Sequence, residues 1–444
     1  MKVRNMAALV AILCCGIVFP DPLAAAPGRG GGGGTTPPPV YTFKYVSASV
    51  HEIPMQPDYW GEALDINNGG DIVGWMAPDG DPNGRRPFIH MDGQTWSLMA
   101  PGMGVSTGHF LPEARGINAS RRVVGYFLDN QQAYERRGFF YEPGIWLSTL
   151  INTPLYGPAG WNHIAHAIND SGVIVGQGWT ASGDPLPASG GKLCGKRPVI
   201  WNSTAYSPTA LFCVADPDGN GTIDGFPPAA YDINNAGSVV GVDAGTTQWS
   251  MFLYKNGQLL PVKPPEGVPQ SLNGSPLKGF AFGINEGGKV VGVFGTTLGF
   301  NPPPAGARAF IWDGVSPESE SLGVLTGGSY SMAREVNDQN MVAGVSERRW
   351  TNVTSQPKRE QAFVWHKDFG MKQLPALHHE FFSTGLLFVS VGRECRANSV
   401  GNRGPGGIVR VVGMCVDEQG DLRAVRWDVV VEVVTSSPGN PVTP

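Results

Sequence analysis

The sequence predicts an all-β protein, a single β-propeller of seven four-stranded blades. Three observations predict it. The first is the stretch Ala281-Phe-Gly-Ile284-Asn285-Glu-Gly-Gly-Lys-Val290-Val291-Gly292. It returns at Ala63–Gly74, Ala114–Gly125, Ala165–Gly176, Ala230–Gly241 and Ala333–Gly344, and with a longer turn at Ala397–Gly413. The second is a short aromatic-ended segment after each copy: Pro87–His90, Gly138–Tyr141, Pro198–Trp201, Met251–Tyr254, Ala309–Trp312, Ala362–Trp365 and Ala424–Trp427. The third is the period. The Ile/Val positions 66, 117, 168, 233, 284, 336 and 400 are separated by 51, 51, 65, 51, 52 and 64 residues. One supersecondary unit repeated every 50 residues or so, built from short β-rich runs, has the form of a propeller blade. The two long intervals mark insertions.

Each element has a local reason. Asp65-Ile66-Asn67-Asn68-Gly69-Gly70-Asp71-Ile72-Val73 reads as strand, turn, strand, because β-branched residues flank a turn of Asn, Asp and Gly. Arg308–Trp312 reads as a third strand closed at Asp313-Gly314, and Gln258–Val262 or Ser321–Val324 as a fourth. The recurrent Asn67, Asn118, Asn169, Asn234, Asn285 and Asn337 occupy one structural position, which points to turn formation. Trp201, Trp312, Trp365 and Trp427 end third strands, which points to packing between blades.

The ends read differently. Residues 1–26 have a positive start (Lys2, Arg4), an apolar run too short for a comfortable span, and Ala24-Ala25-Ala26, as in a secretory signal peptide. Residues 27–40 are a Gly/Pro-rich linker, 41–434 the propeller, and 435–444 a disordered tail. The alternating Tyr41–Val46 is placed to complete the last blade, and Val429–Val434 competes for the same position. No membrane span is expected after signal removal.

Composition narrows the partners. Sixty-two glycines and 38 prolines suit a turn-rich β fold. A net charge of −5 with only 16% charged residues, and no basic cluster, argues against nucleic acid or an anionic membrane surface. Cys194 and Cys213, and Cys395 and Cys415, form two pairs about 20 residues apart that predict two local disulfides in an oxidising compartment. Asp216, Asp218, Asn220, Thr222 and Asp224, with Gly221 at the sixth position, reproduce the first nine residues of a calcium loop. Position 12 is Pro227, so the bidentate acidic ligand is missing. The expected cofactor is a structural Ca²⁺ that holds the first insertion.

The repeat Ala-x-x-Ile-Asn-x-x-Gly-x-Val-Val-Gly … Ala-Phe-Ile-Trp-x-x-Gly … Leu-Gly resembles the extracellular repeats of bacterial HAF-family proteins. The closest piece is Ser321-Leu322-Gly323-Val324 through Val336-Asn337. The family's His-Ala-Phe element is here Arg308-Ala309-Phe310 and Gln361-Ala362-Phe363, without the His. The resemblance spans nearly all of residues 60–430. It implies a secreted or surface-exposed protein and carries over no catalytic residues.

No nucleophile elbow or zinc-protease helix is present. His109, Glu113, His163 and His166 immediately precede the first strands of adjacent repeats, where loops gather at one end of the channel, and with Glu62 form a speculative ligand site. His378, His379 and Glu380 sit in a loop. The expected function is a binding or scaffold module for an extracellular glycan or protein. The alternative is a polysaccharide-directed hydrolase or lyase using the same Glu/His set. The arrangement of that set in space discriminates between them.

Overall fold

The Ile-Asn-x-x-Gly-x-Val-Val units do form hairpins, and each lies at the inner end of a sheet. The computed structural model describes residues 40–81, 84–98, 109–129, 135–143, 161–180, 197–202, 208–212, 228–243, 250–269, 271–272, 275–296, 306–349, 359–383 and 388–436. Residues Tyr41–Val434 form one compact unit. Cys194, Cys213, the calcium-loop residues 216–224, the leader, the linker up to residue 39 and the tail beyond Ser436 all lie outside the described residues, as does the His109 side chain.

Seven antiparallel sheets make the seven blades. Blade 1 runs outward through Tyr59–Ile66, Ile72–Pro78, Arg86–Met91 and Gln94–Ser97. Blade 2 has His109–Ile117, Val123–Asp129 and Glu135–Tyr141, and the position of its fourth strand falls outside the described residues. Blades 3 to 6 repeat the order from Trp161–Ile168, Ala229–Ile233, Lys278–Ile284 and Ser331–Val336 as innermost strands. Blade 7 places Cys395–Val400 innermost, then Ile408–Val416, Leu422–Ser436 and, outermost, Val40–Glu52. Both terminal segments therefore serve in one blade, as its third and fourth strands. Lys44 pairs with Glu432 and the Ile53 amide bonds the Ala424 carbonyl, which makes this pairing antiparallel. A ring tied this way opens only if the two chain ends separate. Among the described residues the one complete helical element is a 3₁₀ turn at Pro405–Gly407, and no helix is long and apolar enough to cross a membrane.

The core lies between blades. Trp201 shares a buried core cluster with Val124 of blade 2, Trp312 with Val240 and Leu253 of blade 4, Trp365 with Val291 of blade 5, and Trp427 with Met341 of blade 6. Each tryptophan thus fills the seam to the preceding blade, where apolar burial contributes about 25 cal/mol per Å². Cys395 and Cys415 face each other across neighbouring strands and are joined, with Cα atoms 4.1 Å apart. The second insertion is a separate hairpin, His379–Ser383 with Phe388–Gly392.

Every innermost strand carries a β-bulge at the same place. Ala63 pairs with Gly74 and Asp65 with Val73, leaving Leu64 as the extra residue. The same skip leaves out Arg115, His166, Tyr231, Phe282, Arg334 and Asn398. A bulge re-aims the residue it leaves unpaired. It also explains the glycine of Val-Val-Gly. A Cβ on Gly292 would stand 1.9 Å from the Phe280 carbonyl oxygen. On Gly74 it would be pinched between the Glu62 carbonyl at 2.0 Å and the Phe88 ring at 2.9 Å. The repeated Ala and Gly thus frame the bulge.

Candidate functional site, the two ends of the central channel

Two layers of side chains line the channel, and they differ in kind. The turn-side layer is built from the constant part of the repeat. Asn67 Oδ1 accepts the Asp71 amide at 2.9 Å and so closes its own hairpin, the role the sequence assigns it. Its Nδ2 does something the sequence does not reveal, donating to the Asn118 carbonyl of the next blade at 3.1 Å. Asn118, Asn169, Asn234, Asn285 and Asn337 repeat that link at 2.9–3.1 Å, the last reaching Gly401. The chain of links stops there, because Gly401 has no side chain to reach Asn67.

A second circle runs beside the first. The residue after each asparagine accepts the equivalent backbone amide of the preceding blade, as in Ala119 N to Asp170 Oδ1 and Asp170 N to Asn235 Oδ1, both 2.8 Å. It continues through Glu286, Asp338, Asn402 and Asn68 and breaks only where blade 2 carries Ala119. The two circles surround a cavity of about 230 Å³ whose lining includes Asp65, Asp170, Asp232, Glu286, Glu335 and Asp338 and no Lys or Arg.

Three of these carboxylates sit deepest. Asp65 Oδ1 accepts Ile66 N at 2.8 Å and Ser399 Oγ at 2.7 Å, and its Oδ2 accepts Ile117 N of blade 2 at 2.9 Å. Asp232 clasps blades 4 and 5 through Ile233 N and Ile284 N, both at 2.8 Å. Desolvation raises Asp65 to about 6, and raises Asp232 to about 7 with added repulsion from Asp65 and Glu286. Burial and then Asp232 push Glu335 well above the usual carboxylate range. Among the described residues no group of His, Cys, Asp and Glu has the geometry of a metal site.

The other layer is made of the bulged residues, and it varies from blade to blade. Their side chains touch in succession. Arg115 Nη1 lies 3.3 Å from His166 Nδ1. The His166 and Tyr231 rings are 5.2 Å apart, as are Tyr231 and Phe282, and the Arg334 guanidinium stands 5.0 Å over the Phe282 ring. Blades 2 to 6 therefore present one continuous arc of cation, imidazole, phenol, phenyl and cation. Asn398 and Leu64 occupy the same position in blades 7 and 1.

Charges around the arc are mostly paired. Glu113 takes Arg85 at 2.8 Å and Arg115 at 2.9 Å. Glu62 accepts Trp75 Nε1 at 3.2 Å and Asn398 Nδ2 at 2.9 Å. Arg115 has only donors, so His166 Nδ1 accepts and the proton of the neutral ring sits on Nε2. Burial, with Arg115 and Arg136 nearby, holds His166 well below its ordinary pKa. Burial raises the Tyr231 phenol to about 12.

The structure brings together part of the sequence-derived set. Glu113 and His166 meet through Arg115, and Glu62 joins the same end of the channel through Asn398. All three lie within or beside innermost strands rather than in loops before them. His163 is buried within blade 3, its ring centroid 6.1 Å from that of Trp201, and does not join them. Glu380 is taken by Arg359 and Arg393, and His378 lies 3.7 Å from Glu418. Sequence reasoning missed Arg115, Tyr231, Phe282, Arg334 and Asn398. A signal for them exists: they are the variable residue directly after the repeat's constant Ala.

No protein-family model and no curated protein matches the chain. Among solved structures it is similar to a Dyadobacter fermentans protein of unknown function at 12% identity, covering 88% of this chain and 99% of that one, with a TM-score of 0.35. It is also similar to SapL1 lectin in complex with α-methyl fucoside, at 10% identity, 86% and 97% coverage and a TM-score of 0.29. A third is a PL25 ulvan lyase, at 11% identity, 85% and 80% coverage and a TM-score of 0.32. Likenesses this remote say nothing about the chemistry of the channel.

Proposed function

We propose that this protein is a secreted binding module that takes a glycan at the bulge-side end of its channel. One observation carries the reading, the arc Arg115–His166–Tyr231–Phe282–Arg334. Sugars offer apolar C–H faces and rings of hydroxyls. An aromatic wall suits the first, and fixed donors and acceptors such as Glu62, Asn398 and Arg334 suit the second. Presenting these groups on bulges of seven tied strands holds them rigid, which lowers the ordering cost of binding. The Cys395–Cys415 disulfide supports an oxidising compartment, in keeping with the leader at residues 1–26. Membership of the HAF-repeat proteins and a structural Ca²⁺ at Asp216–Asp224 belong to the same proposal. Thermal unfolding with calcium and with chelator tests the metal.

A glycan-array screen of the mature chain, beside its Tyr231→Ala/Phe282→Ala variant, tests the main reading. Binding by the first and at least tenfold weaker binding by the second is expected, since each aromatic contact is worth about 1 kcal/mol or more. Equal binding by both sinks the assignment of the site. Turnover of a bound glycan that Glu113→Gln abolishes would make the protein a hydrolase or lyase instead.

A further inference from the structure

Arg334 differs from the other guanidiniums at this end of the channel. Arg115 and Arg85 share Glu113, and Arg396 bonds Glu360. Arg334 has no hydrogen bond or ion pair with any described residue. It is half-buried and stands over the face of Phe282. The carboxylates close enough to act on it are committed elsewhere. Glu62 holds Trp75 and Asn398, and Glu360 accepts Tyr330 Oη at 2.6 Å as well as Arg396. Its sequence neighbour Glu335 turns the other way, accepting Val336 N at 2.8 Å and lying against Gly283 of blade 5. A partly desolvated guanidinium with five donors and no acceptor costs stability, and desolvation lowers its pKa accordingly. The contact over Phe282 is the one interaction the fold shows for it among the described residues, and it leaves all five donors without an acceptor.

We infer that Arg334 is the anchor for an anionic group, so that the channel end selects acidic saccharides, those bearing a carboxylate or a sulfate, over neutral ones. This deepens the glycan-binding reading and rests on it. The planar fork of a guanidinium matches two oxygens of a carboxylate or sulfate and makes its strongest hydrogen bonds to them. Phe282 holds the fork in orientation from one side. Tyr231, on the far side of Phe282, offers a second ring against which the sugar can lie. The exposed Asp170 and Asp338 of the turn-side layer face an anion with like charge, which disfavours that end for it.

The test uses the mature full chain and titration calorimetry with three probes: oligogalacturonate, the same oligosaccharide fully methyl-esterified, and a sulfated galactan oligosaccharide of equal length. Oligogalacturonate is expected to bind at least tenfold more tightly than its ester, and Arg334→Leu is expected to erase that ratio, since hydrogen bonds to a charged group are among the strongest a site can make. Arg334→Lys keeps the charge but loses the fork, and should retain only part of the preference. The sulfated probe decides which oxyanion fits. Tighter binding of the sulfate than of the galacturonate assigns the site to sulfated sugars, and the reverse to uronates. Because Arg334 has no hydrogen bond or ion pair with a described residue and loses only its contact over the Phe282 ring, Arg334→Leu, which keeps an apolar side chain there, should fold with a cooperative melt close to that of the wild type, and that melt removes misfolding as an explanation. If the ester binds as well as the acid, or Arg334→Leu leaves the ratio intact, the inference about Arg334 is overturned while the glycan reading stands. If no probe and no array glycan binds, the glycan reading itself falls.

Discussion

The two layers of the channel are a few residues apart along the same strands, yet they obey opposite rules. On the turn side, one residue type recurs. Asn67, Asn118, Asn169, Asn234, Asn285 and Asn337 each tie their own hairpin and reach the next blade. On the bulge side nearly every blade differs: Leu64, Arg115, His166, Tyr231, Phe282, Arg334, Asn398. A structural joint must be made the same way at every seam, so its residue is constant. A ligand presents one asymmetric surface, so the residues that meet it differ. Within a repeat protein, uniformity therefore marks the frame and variation marks the candidate site.

The largest effect tests the frame that presents the variable layer. Gly292→Val puts a side chain where the Phe280 carbonyl oxygen already stands, since a Cβ there would come within 1.9 Å of it. The expected loss is more than about 3 kcal/mol, enough to abolish a cooperative melt or lower it sharply in calorimetry. Next comes the constant layer. Asn234→Ala, at a residue 4% exposed, removes the bond to Asn285 O and the acceptor for Ser238 N, and leaves both buried groups unpaired. Denaturant unfolding should show a loss of about 2–4 kcal/mol. By contrast Tyr231→Ala should cost much more in binding than in stability, and finding the reverse would erase the distinction between the layers.

A pH series sharpens the comparison further, because Asp65 and Asp232 belong to the turn side alone. Their folded pKa values, about 6 and about 7, lie above the unfolded value of about 3.9. Between these limits the folded state holds protons that the unfolded chain has released. Stability from these groups is therefore greatest below about pH 4 and is lost as pH rises through 6 and 7. Melting temperature, followed from pH 5 to 8, should decline in the wild type and decline less in Asp232→Asn. The smallest effect is a gain. Gly401 interrupts the asparagine circle, and a Cβ there would lie 3.7 Å from the Asn67 carbonyl oxygen, an ordinary contact. Gly401→Asn should complete the circle and raise stability by about 1 kcal/mol in the same unfolding assay.

The number of blades, the hairpins within them and the Cys395–Cys415 pair are legible in the chain alone. Each follows from spacing and local turn chemistry, which are properties of neighbours along the chain. The sequence did not reveal that Val-Val-Gly ends in glycine because a bulge needs the space, since the clash is with a carbonyl on the adjacent strand. Nor did it separate the two competing end strands, which turn out to share blade 7. It picked Glu62, Glu113 and His166 for their chemistry, but also His163, which lies buried beside Trp201. Only the closed ring decided which side chains meet. Arg115 and His166 are 51 residues apart, as are Tyr231 and Phe282, and Phe282 and Arg334 are 52 apart. Those distances become contacts because bulges on neighbouring strands turn the same position toward one axis. That is a consequence of the blades' arrangement, which no short stretch of the chain encodes.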